Sequence, residues 1–429
     1  MIILYRILFP FMLLLALPYY GARMLKRGGY GKDLRHRFGA IPPLPRPDPG
    51  VKRIWIQAVS VGEIRAMQPI IDGLSQRADI ELVLTTTTST GYQLAREHYG
   101  KSCLQVGLFP IDWFLFSKKS WRRIDPDLAI LMEGDLWPEH LQQAQKRNVP
   151  VMLINGRMSD RSFKRYQKVS GLAQWVFTQL DTVYAGSSQD ADRFAQLGVQ
   201  ESRLETTGNI KFDVQVKPLL NEAELQKLRM ELGFPADALI LLGSSTWPGE
   251  EIMLAQALQE IRKTNPNTRL LIIPRHAERR KEIRRDLEQF AFSFAFRTET
   301  KDAPESLDIY VGDTTGELAM LSQAADVAFI GKSLPPHTEG QTPIEAAALG
   351  LPIVYGPGMG NFRRVCQSLE AESAARRAVD ADDAKQKILT LLYEPAERKA
   401  MTESAQRWHT KNRGAADRVI AGIIAKLDR

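Results

Sequence analysis

The chain has 429 residues, 44% hydrophobic and 25% charged, a length at which a single core usually gives way to two domains. Two distant cysteines, Cys103 and Cys366, and six histidines without an HExxH-type spacing give no support for a disulfide scaffold or a metal centre. The net charge of +7 does not point to nucleic acid, because residues 1–50 hold eight Lys/Arg against Asp33 and Asp48, and the remaining 379 residues carry only +1. A nucleic-acid groove spreads its positive charge over the folded body.

The charge sits beside an apolar segment, ILYRILFPFMLLLALPYYGA at 3–22. Arg6 and Pro10 interrupt it, and its uncharged part, Ile7 to Ala22, is 16 residues long. A full membrane span takes about 20. No small-x-small cleavage region follows, so a cleaved signal peptide fits poorly. The run RMLKRGGYGKDLRHR comes next, with Arg23, Lys26, Arg27, Lys32, Arg35 and Arg37. Such charge stays cytoplasmic and is drawn to anionic headgroups. We therefore expect residues 1–22 to be a membrane anchor, either a short signal anchor or a helix lying partly in the inner leaflet. A basic, proline-rich connection over 23–50 follows, with five prolines in IPPLPRPDPG.

Short apolar runs then alternate with helical patterns: RIWIQA, IELVLTT, LAILME, VPVMLING and TVYAGS. Continuous apolar strands separated by helices predict a parallel sheet covered on both faces. The alternation weakens near GNIKFDVQVKPLLNEAEL and resumes in ALILLGSS, RLLIIPRH, DIYVG, DVAFIG and LPIVYG. The expected division is a Rossmann-like domain at 51–215, a linker at 216–229, a second Rossmann-like domain at 230–405, and a C-terminal helix within 406–429 that can pack back on the first domain.

Polar residues at the strand ends carry the chemistry. AVSVGE places Ser60, Gly62 and Glu63 between RIWIQ and a helical pattern. Ser60 can cap that helix while Glu63 reaches back to the Ser60 N–H. A carboxylate there also stands at the carboxyl end of a strand, where open α/β sheets bind ligands. MEGDLWPE puts Glu133 and Asp135 after another strand and before Pro138, a good first helical residue. In the second half GSSTWPGEE, PRH, GDTTGE and GKSLPPHTEGQTPIE follow strands, and new helix starts there favour phosphate. Neither GxGxxG nor a P-loop occurs at a strand-to-helix junction, and GKS at 331–333 reads as a turn.

Together these pieces resemble the 3-deoxy-D-manno-oct-2-ulosonic acid (Kdo) transferases of lipid A assembly (glycosyltransferase family 30) over nearly the whole chain. The matching features are the LYR-apolar start, RFG, AVSVGE, TTTTSTG, LWP, VPVMLINGRMSDRS, GNIKFD, GSSTWPGEE, PRHAER, GDTTGEL, AADVAFIG, PIEAAALGLPI and GPGMGNFR, in that order. The resemblance implies the α/β GT-B architecture, two Rossmann-like domains facing across a cleft, with no required metal or other cofactor. It also implies cytidine monophosphate–Kdo (CMP-Kdo) as donor, the lipid A precursor as acceptor, and work at the cytoplasmic face of the inner membrane.

By the same resemblance Glu63 is the general base, and Glu133, Asp135, Ser60 and Gly62 are candidates for acceptor or transition-state contact. Lys211 and Arg275 match positions that face the nucleotide phosphate. Ser244, Ser245, His276, Gly312, Thr314, Gly316, Glu317 and Thr342 are further donor candidates, and Glu345 matches a glutamate that accepts from the ribose. The chain departs from the family pattern at Trp247, Lys332, Gln341 and Thr342, at Asp135, and at Glu139, where an asparagine is usual after LWP. Alternatives are a GT-B transferase using another CMP-ulosonic acid or a uridine diphosphate sugar, and a non-catalytic membrane protein that binds the lipid A precursor.

Overall fold

The computed structural model describes residues 1–27, 31–213, 219–300 and 303–428. The basic side chains of Arg23, Lys26, Arg27 and Lys32, and residues 214–218 across the start of the expected linker, lie outside what is described. The chain divides into two compact units, one of Met1–Asp213 with Gly414–Arg429 and one of Val214–Arg413. The helix Glu222–Glu231, most of it in the stretch 216–229 read as linker, belongs to the second unit, as does the whole helix Pro395–Asn412, across which the expected boundary at 405 falls.

The first unit contains β1 (Lys52–Gln57), β2 (Ile80–Thr86), β3 (Gln105–Leu108), β4 (Leu128–Met132), β5 (Val151–Gly156), β6 (Thr182–Ala185) and β7 (Leu204–Thr206). They form one parallel sheet in the order β3-β2-β1-β4-β5-β6-β7. Both faces are covered, which is why these strands read as unbroken apolar runs. Ile54, Ile56, Leu82, Leu84 and Ile130 share one core with Ile70, Val419 and Ile423. Trp55, Val83, Ala129, Leu131 and Leu153 share another with Trp121 and Phe177.

The C-terminal helix Ala415–Leu427 completes the first of these cores. Asp213 fastens its start, accepting from the N–H groups of Gly414 and Ala416 at 2.8 Å each. Arg418 donates to the Thr207 carbonyl at 3.0 and 2.7 Å.

The N-terminal helix runs Ile2–Arg27, with Pro10 and Pro18 inside it. Among the described residues no helix is long and apolar enough to cross a membrane. The break in the apolar run at Arg6 has a structural use. Arg6 donates two hydrogen bonds, 2.7 and 2.9 Å, to Glu139, which is fully buried at the start of the helix Pro138–Lys146. The Tyr5 hydroxyl donates to Asp112 at 2.6 Å, and Asp112 accepts from the N–H groups of Glu139 and His140 at 3.1 and 2.9 Å. Glu139, a departure from the family pattern, is thus the buried counter-ion of Arg6.

The second unit contains β8 (Leu239–Thr246), β9 (Thr268–Pro274), β10 (Phe294–Phe296), β11 (Ile309–Val311), β12 (Val327–Ile330), β13 (Ile353–Tyr355) and β14 (Ala375–Arg377). Its parallel sheet has the order β10-β11-β9-β8-β12-β13-β14. Leu241, Leu270, Ile309 and Phe329 pack with Leu254, Leu258 and Ile388 of its helices.

Candidate functional site

In the first sheet the strand order reverses direction between β1 and β4, and ligands of open α/β sheets bind outside the carboxyl ends at such a point. The turn after β1 carries Glu63, and the turn after β4 carries Glu133 and Asp135. The two motifs are thereby brought to one place.

Ser60 caps the helix Val61–Ala66, its hydroxyl accepting from the Glu63 N–H at 3.4 Å. The return bond differs from the expected capping box. Glu63 reaches past Ser60, and its Oε2 accepts from the Val59 N–H at 2.8 Å while Oε1 accepts from the Ser60 hydroxyl at 3.0 Å. The extended backbone of Ser60 (φ −123°, ψ 164°) precedes the helix, and the bond actually made goes to the N–H one residue earlier. The side chains of Thr86 and Thr88, from TTTTSTG, each donate to the Val59 carbonyl at 3.2 Å and hold this turn from the β2 side. A Cβ at Gly91 would stand 2.8 Å from both threonine hydroxyls, so glycine is required there for the two turns to close up. Gly62, by contrast, has open space around it, its only neighbour within 4 Å being the Ser60 hydroxyl at 3.9 Å.

Glu63 is 8% exposed. Burial raises its carboxyl above the usual range, the Val59 N–H opposes this, the neighbouring Glu133 charge adds to it, and the Ser60 hydroxyl and Lys211 hold it down. Each oxygen makes one hydrogen bond within the protein, which leaves acceptor capacity for a proton.

Glu133 has a left-handed backbone (φ 63°), unusual for a residue with a side chain. Its carboxylate pairs with Lys211 and lies 3.5 Å from Arg157. Lys211, expected at a donor phosphate, therefore sits in the first unit as the partner of Glu133. Asn155 joins the two turns: its Nδ2 donates to Glu133 at 3.5 Å and its Oδ1 accepts from the Ile210 N–H at 3.2 Å. Asp135 accepts from the Trp137 indole at 2.9 Å, and burial lifts its carboxyl while Arg37 pulls it down. Arg37 also ties the β2 and β3 ends together, donating to the carbonyls of Thr87 at 2.7 Å and Phe109 at 2.9 Å. Arg37 was expected only as part of the basic run facing headgroups, whereas it is bonded within the first unit, and Asn155 was not singled out, the NGR after VMLI being its available signal.

The second unit places its candidates in two groups. Ser244, Ser245, Arg275, His276, Thr342 and Glu345 lie around the carboxyl ends of β8, β9 and β12. Ser245 is left-handed (φ 55°), and the Arg275 side chain is exposed while its N–H donates to the Thr246 carbonyl at 3.2 Å. The Thr342 hydroxyl accepts from the Ile344 N–H at 3.3 Å, starting the helix Ile344–Ala348 whose first turn holds Glu345. Gly312, Thr314, Gly316 and Glu317 lie after β11. Thr314 donates to Glu317, which also accepts from Arg297 at 3.0 Å, and a Cβ at Gly312 would meet Leu321 at 2.9 Å. Gly312 thus packs closely against Leu321.

Sequence reading also passed over Glu250. This buried carboxylate accepts from the N–H groups of Trp247, Lys332, Ser333 and Leu334 at 2.8, 3.0, 3.0 and 3.3 Å. Burial pushes it up to about 7 against those four donors. Among the described residues no group of His, Cys, Asp or Glu could hold a metal ion.

Residues 32–214 match the family described as 3-deoxy-D-manno-octulosonic-acid transferase (kdotransferase). A 3-deoxy-D-manno-octulosonic acid transferase of Bordetella pertussis is 34% identical over 395 residues, covering 90% of this chain and 89% of that protein. Its counterpart in Haemophilus influenzae is 29% identical over 418 residues, with 97% and 96% covered. Among solved structures, UDP-GlcNAc 2-epimerase from Neisseria meningitidis bound to UDP-GlcNAc has a TM-score of 0.56 at 13% identity, over 87% of this chain and 100% of that one, a likeness of fold alone. With a relative this similar over nine-tenths of its length, the chain belongs to the 3-deoxy-D-manno-octulosonic acid (Kdo) transferase family.

Proposed function

We propose that this Kdo transferase is an inverting GT-B enzyme that moves Kdo from CMP-Kdo to a lipid A precursor at the cytoplasmic face of the inner membrane, with Glu63 as general base. The observation that carries the reading is Glu63 itself: a buried carboxylate after the inner strand β1, its two oxygens fixed by the Val59 N–H and the Ser60 hydroxyl. In the reaction an acceptor hydroxyl attacks the anomeric carbon and passes its proton to Glu63. The bond from that carbon to the phosphate oxygen breaks, and CMP leaves with the electron pair. A base works best when its affinity for protons lies near the working pH, and burial moves Glu63 in that direction. The second unit would hold the nucleotide, with Arg275 the cation for the departing phosphate. No metal or other cofactor is required by this scheme.

The test is Glu63→Gln, assayed by mass for product from CMP-Kdo and a tetra-acylated glucosamine disaccharide, beside a thermal melt. General-base loss reduces transfer by about 10²–10⁴-fold, whereas a lost cap costs only about 1 kcal/mol of stability. Glutamine keeps an oxygen for the cap, and Ser60→Ala removes the hydroxyl while keeping the carboxylate. The expected pattern is a folded, nearly inactive Glu63→Gln and a less stable, active Ser60→Ala. Wild-type turnover by Glu63→Gln would leave the carboxylate a structural cap only.

A further inference from the structure

The second sheet has its own reversal of strand order, between β8 and β12, and the turns that follow these two strands are locked together. A Cβ at Gly331 would stand 2.3 Å from the Ser245 carbonyl oxygen and 2.7 Å from the Thr246 Cα. Glu250 clasps both turns through the N–H groups of Trp247 and Lys332. Two residues with side chains here are left-handed, Ser245 (φ 55°) at the irregular end of β8 and Lys332 (φ 56°) in the turn after β12. Glycine would occupy either position without conformational cost, so a lysine there is an outlier that points to use of its side chain.

Lys332 extends over the face of Trp247, with Nζ 4.4 Å from the ring centroid. The indole stands between two imidazoles, His276 at 5.2 Å and His337 at 4.9 Å, centroid to centroid. Trp247 and Lys332, two separate departures from the family pattern, are therefore one contact. An aromatic face holds an ammonium in place without neutralising it. Among the described residues the carboxylate paired with that ammonium is Glu339, 3.8 Å away and half exposed, too far for a hydrogen bond. Arg275 adds a second cation on the neighbouring turn after β9. Glu278, paired with His276 at 3.1 Å, and Glu345, in the first turn of the helix Ile344–Ala348, are further acids at this rim, and Glu250 is buried beneath it.

We propose that the Lys332 ammonium, seated on Trp247, binds an oxyanion of the sugar nucleotide at the carboxyl end of β8 and β12. The proposal rests on the donor reading above. Two oxyanions of CMP-Kdo share the required chemistry, the phosphate and the sugar carboxylate, and the experiment separates them.

Lys332→Gly removes the charge and suits the left-handed turn, so the variant melts at or above the wild-type temperature. Lys332→Arg restores the cation. Cytidine and CMP are titrated by calorimetry into all three proteins, and KM and kcat are measured with CMP-Kdo. Loss of about tenfold or more in CMP affinity for Lys332→Gly, with cytidine unchanged and Lys332→Arg close to wild type, assigns Lys332 to the phosphate. Unchanged CMP affinity with a similar rise in KM and little change in kcat assigns it to the carboxylate. Unchanged affinity and KM, in a wild type that does bind CMP, overturns the role of Lys332 alone. A wild type that binds no CMP overturns the donor reading and this proposal with it.

Discussion

Glu63 does not titrate alone. The Glu133 charge lifts its carboxyl and Lys211 lowers it, while Lys211 and Glu133 are themselves an ion pair. The two charges can therefore be removed one at a time with opposite effects. Lys211→Met takes away the group that favours ionised Glu63, so its proton is held to higher pH. Because a base acts only when ionised, the acidic limb of the kcat–pH profile moves up. Glu133→Gln takes away the like charge and moves the same limb down. Profiles of the two variants measured side by side decide the matter, and limbs that stay superimposed with wild type would uncouple Glu63 from this pair. The same raised carboxyl weighs on stability. Below the ordinary carboxylate range both folded and unfolded chains hold the proton; as pH rises towards the folded value the unfolded chain releases it first, so stability falls over that window. Glu63→Gln removes that part of the slope.

Elements differ in how plainly the sequence announces them. β1, β4 and β5 lie inside the sheet, buried on both sides, and their apolar runs declare them. β7, β10 and β14 are three-residue strands at or beside sheet edges, partly exposed, and carry too little pattern to be seen. Glu63, Glu133 and Asp135 were legible because each follows a strand that was itself legible. Arg37 and Asn155 were not, since their partners lie 22 to 72 positions away and no local spacing encodes them; Glu250 has one donor three residues before it, Trp247, but its other three lie 82 to 84 positions away. The C-terminal helix Ala415–Leu427 gives a test at this scale. Gly73 meets Ile420 there, and a Cβ at Gly422 would stand 1.7 Å from the Tyr184 hydroxyl. Tyr184 is buried on β6 and has little room to withdraw. Gly422→Ala should cost about 1–3 kcal/mol by overpacking, read as a lower denaturation midpoint with an unchanged slope. A midpoint equal to wild type would mean that this helix shifts freely on the sheet.

At the scale of the molecule, an uneven charge and an unevenly covered N-terminal helix coincide. Six of the seven net positive charges arise in residues 1–50. On the helix Ile2–Arg27 the side chains of Phe11, Leu14 and Leu15 are 63%, 67% and 83% exposed, while Tyr5 and Arg6 are bonded to Asp112 and Glu139. Exposed apolar patches of this kind mark interaction surfaces, and a helix with basic residues alongside is suited to lie in a headgroup layer. We propose that this helix holds the first unit to the membrane surface without spanning it. Deleting residues 1–22 would be a confounded test, because it strips Glu139 of Arg6 and leaves a buried carboxylate without its cation. Replacing Phe11, Leu14 and Leu15 together with serine leaves the Tyr5 and Arg6 contacts in place. Each large apolar side chain withdrawn from lipid forfeits roughly 1.5–3 kcal/mol, so vesicle partitioning should fall by at least about 1,000-fold. The measurement is co-sedimentation with vesicles containing anionic lipid, with a melt to show that the fold is kept. Raised salt should weaken wild-type binding only partly, since the apolar share is not screened. If the triple variant sediments like wild type, the contact with lipid lies elsewhere on the chain, and the exposed helix face needs another partner.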